Sequence, residues 1–180
     1  MLGVLFTRAR WLVWTGFYRA LGRIVLGRIG SGCWFEGWVD LPAYGGDIEL
    51  GNRVRVCRGV EWTVLRGARL SIRDSAFIGR GVVISAHSSV EIGERSLVGE
   101  YVCIHDNDHV SAPASEKANP KFASSPIAVA EDCWLGAHAV MVRGSGMAGR
   151  CVLGAGAVLT RPLEAGSVAV GVPARVVKTR

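Results

Sequence analysis

The sequence predicts an all-β protein in which short strands wind into a stack of coils around one apolar interior. Three observations support this fold class. Aliphatic residues recur every six positions, glycine accounts for 24 of the 180 residues, and no helical periodicity is visible between about residues 48 and 160. A period of six fits neither an amphipathic helix nor a long alternating strand. It fits short flat strands joined by sharp corners, with one aliphatic side chain pointing inward from each side.

The first 30 residues form a separate basic segment that we expect to be an amphipathic helix. One face carries apolar residues at helical spacing: Leu2, Leu5, Phe6, Ala9, Val13, Phe17, Ala20 and Ile24. Trp11, Trp14 and Tyr18 fall on the opposite side, among arginines. Two interpretations remain open. The helix caps the open end of the main domain, or it also contacts an anionic membrane surface through its arginines and aromatic rings.

The charge distribution and the shortness of the uncharged stretches argue against several functions. Residues 1–30 contain five arginines and no acid, so they hold +5 of the net +6 and leave +1 for the other 150 residues. A nucleic-acid groove in the main body is therefore not expected. The longest uncharged run, residues 11–18, is far shorter than the ~20 residues of a spanning helix. Arginines also interrupt the apolar stretch, which argues against a signal peptide.

The main domain, residues 31–180, carries the repeat. Its in-phase residues are Leu50, Val56 and Trp62; Ile72, Ile78 and Ile84; Ile92, Val98 and Ile104; and Val129, Leu135, Met141, Met147, Leu153 and Leu159. Three sides of six residues close a coil of 18, and five coil starts are visible, at residues 50, 72, 92, 129 and 147. We therefore predict about five coils sharing one core.

The repeat breaks once, between Ile104 and Val129. Residues 105–126 contain three prolines and many small polar residues, so this stretch is predicted to leave the coil as a loop. It begins with "HDNDH", at residues 105–109. Long loops on rigid scaffolds commonly carry function, which makes this interruption the first candidate site.

Five cysteines are present: Cys33, Cys57, Cys103, Cys133 and Cys151. Their number is odd, no CxxC motif occurs, and each replaces a small or aliphatic residue of its local pattern. We interpret them as free thiols in a reducing compartment. The expected location is the cytoplasm, with peripheral contact at the inner membrane as the open alternative for residues 1–30.

The segments "FIGRGVVI", "EIGERSLVGEYVCI", "CWLGAHAVMV" and "CVLGAGAVLT" resemble the hexapeptide-repeat acyltransferases, over roughly residues 45–180. The resemblance implies a left-handed parallel β-helix with a short C-terminal extension. It also implies a homotrimer with active sites between subunits, acetyl-CoA as acyl donor and no metal. "IHDNDH" is similar to a stretch of the maltose, galactoside and polysaccharide O-acetyltransferases. A saccharide hydroxyl, on a polysaccharide or a lipid-linked glycan precursor, is therefore the implied acceptor.

Acyl transfer to a hydroxyl needs a base, and histidine suits this role near neutral pH. The family match places His109 as the base. Asn107 departs from the family pattern, so His105 stays open as an alternative. Asp106 or Asp108 is a candidate to orient the imidazole, although short acids in loops commonly form turns.

Further candidates follow from the same resemblance. Trp134 matches a tryptophan found at the active site of related acetyltransferases, with a large side chain on a coil face as the structural alternative. The implied residues along the pantetheine arm and at the nucleotide end of the cofactor are Gly136, Ala137, Ala155, Thr160, Arg161, Arg175 and Lys178. Arginine suits phosphate because its guanidinium binds in a bidentate manner.

Three other functions are alternatives. N-acetylation of an amino sugar on a nucleotide carrier needs the same base chemistry, and a β-helix scaffold without activity would share the fold. A zinc enzyme of the γ-type carbonic anhydrase kind would need three stacked histidines. His105 and His109 are four residues apart where that family has five, and His87 and His105 are out of phase in the repeat.

Overall fold

The computed structural model describes residues 12–18, 20, 27–40, 45–110 and 121–180. Residues 12–18 and 20 are helical and form α1. The predicted helical positions at residues 1–11, 19 and 21–26, and the loop positions 111–120, lie outside the described residues. Strand β1 begins at Arg28, so the helical segment is shorter at its C-terminal end than residues 1–30.

Three parallel sheets form the faces of a triangular prism. The first face contains β1 Arg28–Ile29, β4 Asp47–Leu50, β7 Arg69–Ile72, β10 Ser89–Ile92, β15 Ile127–Val129, β18 Gly146–Met147 and β21 Pro162–Leu163. The second face contains β2 Trp34–Phe35, β5 Arg55–Val56, β8 Phe77–Ile78, β11 Leu97–Val98, β16 Trp134–Leu135, β19 Val152–Leu153 and β22 Ser167–Val170. The third face contains β3 Val39–Asp40, β6 Val60–Val64, β9 Val83–Ala86, β12 Cys103–His105, β17 Val140–Met141 and β20 Val158–Leu159.

Two elements lie outside this prism pattern. An antiparallel ribbon pairs β13 Asn107–His109 with β14 Phe122–Ser124. At the C-terminus, β23 Arg175–Thr179 returns antiparallel to β22 and forms the predicted extension. The ribbon joins the third face of one coil to the first face of the next.

The register confirms the six-residue repeat. On the first face Leu50 pairs with Ile72, Ile72 with Ile92, and so on through Val129 and Met147. The corresponding columns on the other faces run from Val56 to Leu153 and from Trp62 to Leu159. These columns are buried and form one continuous core.

The prediction of about five coils is too low, because the faces contain enough strands for six complete coils and part of a seventh. The first coil, β1–β3, was missed because the spacing of six ends after Phe35: Val39 follows after four residues and Leu50 after eleven more. The partial seventh coil contributes Leu163 and Ala169 to the columns.

Three of the five cysteines lie on the edge between the first and second faces, where they have a common structural role. Cys33, Ser96, Cys133 and Cys151 occupy equivalent positions just before the second-face strands. Each side chain donates a hydrogen bond to a carbonyl of the adjoining coil: Gly51, Ala130, Ala148 and Glu164 respectively. Cys57, Cys103, Cys133 and Cys151 are free thiols, as predicted. A small donor is favoured here because it satisfies a corner carbonyl of the neighbouring coil.

Helix α1 packs on the first coil through its aromatic side. Tyr18 is buried, and its hydroxyl donates to the Val39 carbonyl at 3.2 Å and accepts from the Val39 amide at 2.6 Å. The Tyr18 ring stacks on Phe35 at 4.6 Å. Val13 and Phe17, on the opposite face, are exposed. The helix therefore buries the aromatic side and presents the aliphatic side to solvent.

Candidate active site

The interruption of the repeat is an ordered antiparallel ribbon at its root. His105 still lies in β12, on the third face, so the chain leaves the coil at Asp106 rather than at residue 105. The ribbon register pairs Asn107 with Ser124 and His109 with Phe122. The edge between the third and first faces therefore carries residues 106–109, and His105 directly precedes it on the third face.

Asp106 anchors the ribbon to the preceding coil. Its side chain is fully buried, and its two carboxylate oxygens accept hydrogen bonds from the backbone amides of His87 and Ser88, both at 2.7 Å. A buried carboxylate is tolerated where charge-assisted hydrogen bonds satisfy it. Among the described contacts, the Asp106 carboxylate holds the chain corner at residues 87–88 rather than an imidazole ring.

The next two side chains fix the ribbon on both sides. Asn107 Nδ2 donates to Ser85 Oγ at 3.0 Å and to the Ser85 carbonyl at 3.3 Å. Asp108 Oδ2 accepts from Arg143 Nε at 2.8 Å, and both side chains are about half exposed. Asn107 therefore attaches to the preceding coil and Asp108 to the following one. Asn107, which departs from the family pattern, has a structural role in this chain.

His109 lies at the end of β13 with its ring against Phe122, at a centroid distance of 4.4 Å. Phe122 also contacts His87, edge to face, at 4.5 Å. One phenyl ring thus separates two imidazoles, and the backbone of His87 is itself held by Asp106. Sequence reasoning missed His87, Phe122 and Arg143. Only the coil register, which places residues 87–88 beside the ribbon root, could have indicated His87.

Burial controls the protonation of two histidines in this cluster. Burial lowers the pKa of His105 below its usual value, although Asp106, Asp108 and Glu61 partly oppose the shift. Burial also lowers the pKa of His87; Asp106 opposes this, while His105 and His109 add to it by charge repulsion. Both rings are therefore neutral near pH 7. A neutral imidazole is the form that accepts a proton.

The fourth histidine lies elsewhere. His138 stacks on Tyr101 at 5.1 Å on the edge between the second and third faces. Both residues have positive φ, 59° and 56°, at the corners of adjoining coils. Within the described ranges, no group of three or more His, Cys, Asp or Glu side chains is placed to hold a metal ion.

Trp134 is exposed on the second face, paired with Leu97 and Val152. That face lies across the prism from the edge that carries the ribbon. Trp134 and His109 of one chain therefore face different directions. The role of Trp134 stays a prediction that requires another copy of the chain to bring the two residues together.

The predicted pantetheine residues follow β16 and β19 on the edge between the second and third faces. Gly136 is buried, and its amide donates to the Leu153 carbonyl at 2.7 Å. A Cβ on Gly136 would lie 2.5 Å from the Ala155 nitrogen, so packing between coils already requires glycine. Ala137 is half-buried and Ala155 is exposed. Their small side chains leave the backbone of this edge open to a ligand.

The predicted nucleotide-end residues are exposed at the C-terminal end of the prism. Thr160 and Arg161 lie between β20 and β21, on the same edge as the ribbon but further along the axis. Arg175 and Lys178 lie in β23. In the described part of the chain, no acidic side chain pairs with Arg161, Arg175 or Lys178 within 4.0 Å. These groups suit an anionic ligand, and their binding roles stay predictions.

Comparison with curated proteins finds acetyltransferases. The chain is 34% identical to the probable acetyltransferase Rv3034c of Mycobacterium tuberculosis over 139 residues, covering 74% of this chain and 44% of that protein. It is 28% identical to the galactoside O-acetyltransferase of Escherichia coli over 112 residues, covering 62% of this chain and 55% of that protein. The chain thus spans about half the length of these relatives. No protein-family model matches it.

Comparison with solved structures finds the same fold. AntD, an N-acyltransferase from Bacillus cereus in complex with dTDP and 3-hydroxybutyryl-CoA, superposes with a TM-score of 0.75 at 16% identity, covering 90% of this chain and 87% of that one. A hexapeptide-repeat acetyltransferase from Vibrio cholerae, complexed with acetyl coenzyme A, gives a TM-score of 0.64 at 18% identity, covering 92% and 77%. The resemblance predicted from the six-residue repeat is therefore confirmed: this chain is a left-handed parallel β-helix similar to the hexapeptide-repeat acetyltransferases.

Proposed function

We propose that this protein transfers an acetyl group from acetyl-CoA to a hydroxyl of a saccharide, with His109 as general base. The observation that carries the proposal is the ribbon root, where three side chains fix the backbone on which His109 is presented. The similarity to acetyltransferases, among them one acting on galactosides, supports the reaction and the acceptor class. A glycan precursor, free or lipid-linked, is the acceptor we favour.

In this reaction acetyl-CoA is the second substrate and supplies an activated thioester carbonyl. The acceptor oxygen forms a C–O bond to that carbon while the C–S bond breaks. The His109 imidazole takes the hydroxyl proton and returns it to the departing sulfur, so no proton is lost or gained. Phe122 restricts the His109 ring, and the Asp108–Arg143 ion pair restricts the strand that carries it.

The proposed catalytic unit is a homotrimer with sites between subunits. Within one chain, Trp134 and His109 lie on different sides of the prism. Leu97 and Trp134 leave apolar surface exposed on the second face, 48% and 51% respectively, which a neighbouring copy would cover. Co-expression of His109→Ala and Trp134→Ala chains with different tags tests this. Mixed trimers should regain activity that neither variant has alone, whereas no recovery in purified mixed oligomers contradicts a shared site.

The test of the base is His109→Ala beside His105→Ala. Initial rates of CoA release are measured against a panel of sugars, nucleotide sugars and amino sugars, together with the affinity for CoA. We expect His109→Ala to lower kcat by about 10²–10⁴-fold while CoA affinity is kept. Survival of transfer in His109→Ala, with loss in His105→Ala, would move the base to His105.

The same panel separates O-acylation from the alternative, N-acylation of an amino sugar on a nucleotide carrier. AntD, which shares this fold, is an N-acyltransferase in complex with dTDP, so that acceptor class belongs in the panel. Selective turnover of amino sugars over the matched hydroxyl sugars would replace our proposed acceptor. Selective turnover of hydroxyl sugars would support it.

We place the protein in the cytoplasm, where acetyl-CoA is available, and propose that α1 contacts the inner membrane surface. None of the described helical residues forms a helix long and apolar enough to cross a membrane. The end patch, defined as Leu12, Val13, Phe17 and Trp38, is exposed by 63%, 68%, 39% and 54%. The arginines of residues 1–30 complement anionic lipid headgroups in charge.

Vesicle co-sedimentation tests this contact. Leu12→Ser/Val13→Ser should lose binding to vesicles of phosphatidylcholine with phosphatidylglycerol, and wild type should bind pure phosphatidylcholine weakly. Val176→Ser/Val177→Ser is the matched control, because those two valines are exposed at the opposite end. Equal binding by both double variants, or no binding by wild type, would contradict a lipid contact. A change in oligomer mass for the Leu12/Val13 variant alone would instead assign the end patch to a second copy of the chain.

A further inference from the structure

A second candidate binding site lies far from the histidines. An open cavity of about 520 Å³ on the first three coils is lined by Gly32, Trp34, Arg53, Arg55 and Phe77. It occupies the second face and the edge between the first and second faces. His109 lies on a different edge and further along the axis. The cavity is therefore separate from the proposed catalytic site, and nothing in the acyl-transfer reaction accounts for it.

The floor of this cavity is a row of side chains from three neighbouring strands. The register pairs Trp34 with Arg55 and Arg55 with Phe77. Neighbouring strands are about 4.8 Å apart, so Arg55 lies between Trp34 and Phe77 in this row. Both rings are half-buried, while Arg55 is exposed. This arrangement offers a cation together with flat apolar walls.

Arg53 adds a second guanidinium at the rim. Its Nε donates to Ser75 Oγ at 3.2 Å, and its Cγ lies beside Gly32, where a Cβ would be 3.4 Å away. Gly32 thus leaves room on that side of the arginine. The hydrogen bond to Ser75 and the free space beside Gly32 together orient Arg53 along the cavity rim.

Neither arginine forms an ion pair with an acid of the described residues, although the hydrogen bonds from Asn52 and, after them, the charge of Arg53 lower the pKa of the nearby Asp74 carboxyl. In the described ranges, no carboxylate lies within 4.0 Å of Arg53 or Arg55. Asp74, an acid on this edge, is already bonded by the backbone amide and Nδ2 of Asn52, at 2.9 and 3.0 Å. Arg95 occupies the same corner position as Arg53, two coils further on, and it binds both carboxylate oxygens of Asp132, at 2.7 and 2.8 Å. The Arg95 guanidinium is therefore already bound by Asp132, whereas the Arg53 guanidinium has no such carboxylate among the described residues and is available to a ligand.

We propose that this cavity binds the phosphate or diphosphate group of a ligand that carries a flat or apolar group next to it. Two guanidiniums supply the planar donors that phosphate oxygens prefer. The volume exceeds what an inorganic ion needs and lies within the range of small-molecule sites. A nucleoside diphosphate and the diphosphate end of a lipid carrier share this chemistry, and both are forms in which saccharides are presented to enzymes. The proposal does not depend on acyl transfer, because it predicts binding rather than turnover.

Calorimetric titration of the full chain with pyrophosphate and with uridine diphosphate tests the site, and flotation with phosphatidylcholine vesicles containing polyprenyl diphosphate tests the lipid source. Arg53→Gln/Arg55→Gln should weaken binding of the responding probe at least about tenfold, as expected for two lost charge-assisted contacts. Arg150→Gln is the matched control, since Arg150 shares the corner position and positive φ of Arg53, 63° against 54°. It should change affinity less than about twofold, as expected for a surface charge away from the site.

The outcomes separate the two sources. Tighter binding of uridine diphosphate than of pyrophosphate, reduced by Trp34→Leu, assigns the site to a nucleotide. Vesicle binding that falls in the Arg53/Arg55 variant but persists in Leu12→Ser/Val13→Ser assigns it to a lipid carrier. Binding that is equal in wild type and the Arg53/Arg55 variant, or no binding of any of the three probes, would overturn the proposal. Either result leaves the acyl-transfer proposal intact, because that proposal is measured by CoA release.

Discussion

The carboxylate of Asp106 accepts a hydrogen bond of 2.7 Å from the backbone amide of His87, 19 residues earlier in the chain. This contact ties the root of the ribbon to the corner of the preceding coil. It also brings His87 to Phe122, the ring that supports His109. A buried structural carboxylate therefore positions the proposed base without touching it.

Replacement of Asp106 by alanine should destabilise the fold and disorder the ribbon. Two partly buried backbone amides, of His87 and Ser88, would lose their acceptor, at a cost of about 2–5 kcal/mol. The midpoint of urea unfolding measures this. Asp108→Asn is the control, because its exposed ion pair with Arg143 is worth about 0–1 kcal/mol. Equal destabilisation by the two variants would show that Asp106 does not anchor the corner.

Stability should fall as the pH drops below about 6.5 because of His87 and His105. Burial lowers the pKa of both rings in the folded state, so the unfolded chain binds more protons in this range. The stability that the neutral rings contribute is thus fully present above the histidine pKa of the unfolded chain. It is lost as the pH falls through the lower histidine pKa of the folded chain. Thermal midpoints between pH 7.5 and 5 measure the slope.

The double variant His87→Gln/His105→Gln should flatten that slope. His138→Gln serves as the comparison, since its ring lies on an exposed corner against Tyr101. If the double variant keeps the wild-type slope, other groups control the acid response of the fold.

Alanine at Gly136 should destabilise the protein even without any ligand. The new Cβ would approach the Ala155 backbone nitrogen to 2.5 Å, and the backbone of the adjoining coil has no room to move away. We expect a loss of about 1–3 kcal/mol in the free energy of unfolding. Gly16→Ala is the control: nothing lies within 4 Å of a Cβ there, and alanine favours a helix. An unchanged unfolding midpoint in Gly136→Ala would show that packing between the coils does not require glycine at this position.

Removal of the Tyr18 hydroxyl should loosen α1 from the first coil. The phenylalanine variant leaves the carbonyl and amide of Val39 without their partner, which costs about 1–3 kcal/mol. Limited proteolysis near residue 20 and the unfolding midpoint both report this change. Tyr101→Phe provides the control, because Tyr101 is exposed and contacts His138 through its ring. Similar protease sensitivity in the two variants would argue against Tyr18 as the anchor of the helix.

The sequence alone determined the coil architecture and the position of its interruption. A six-residue period is a local signal, and each turn of the coil repeats the same burial, so spacing by itself assigns the columns that begin at Leu50, Val56 and Trp62. The same period located the interruption between Ile104 and Val129, where the aliphatic residues stop, although it predicted a loop and not the antiparallel ribbon at its root. The weaker first coil escaped detection because its spacing is irregular.

Only the tertiary structure decided what meets at the edges of the prism. Contacts such as Asp106 with His87 and Asp108 with Arg143 join residues 19 and 35 positions apart, and no local period encodes them. The sequence also left the orientation of α1 undecided, since both faces of that helix are apolar. In the structure the aromatic side packs on the first coil, where Tyr18 forms hydrogen bonds with Val39. The burial of the histidines and the gathering of Arg53 and Arg55 with Trp34 and Phe77 around one cavity likewise arise from the stacking of the coils. A repeat specifies which side chains point inward, whereas the register between coils decides which outward side chains become neighbours.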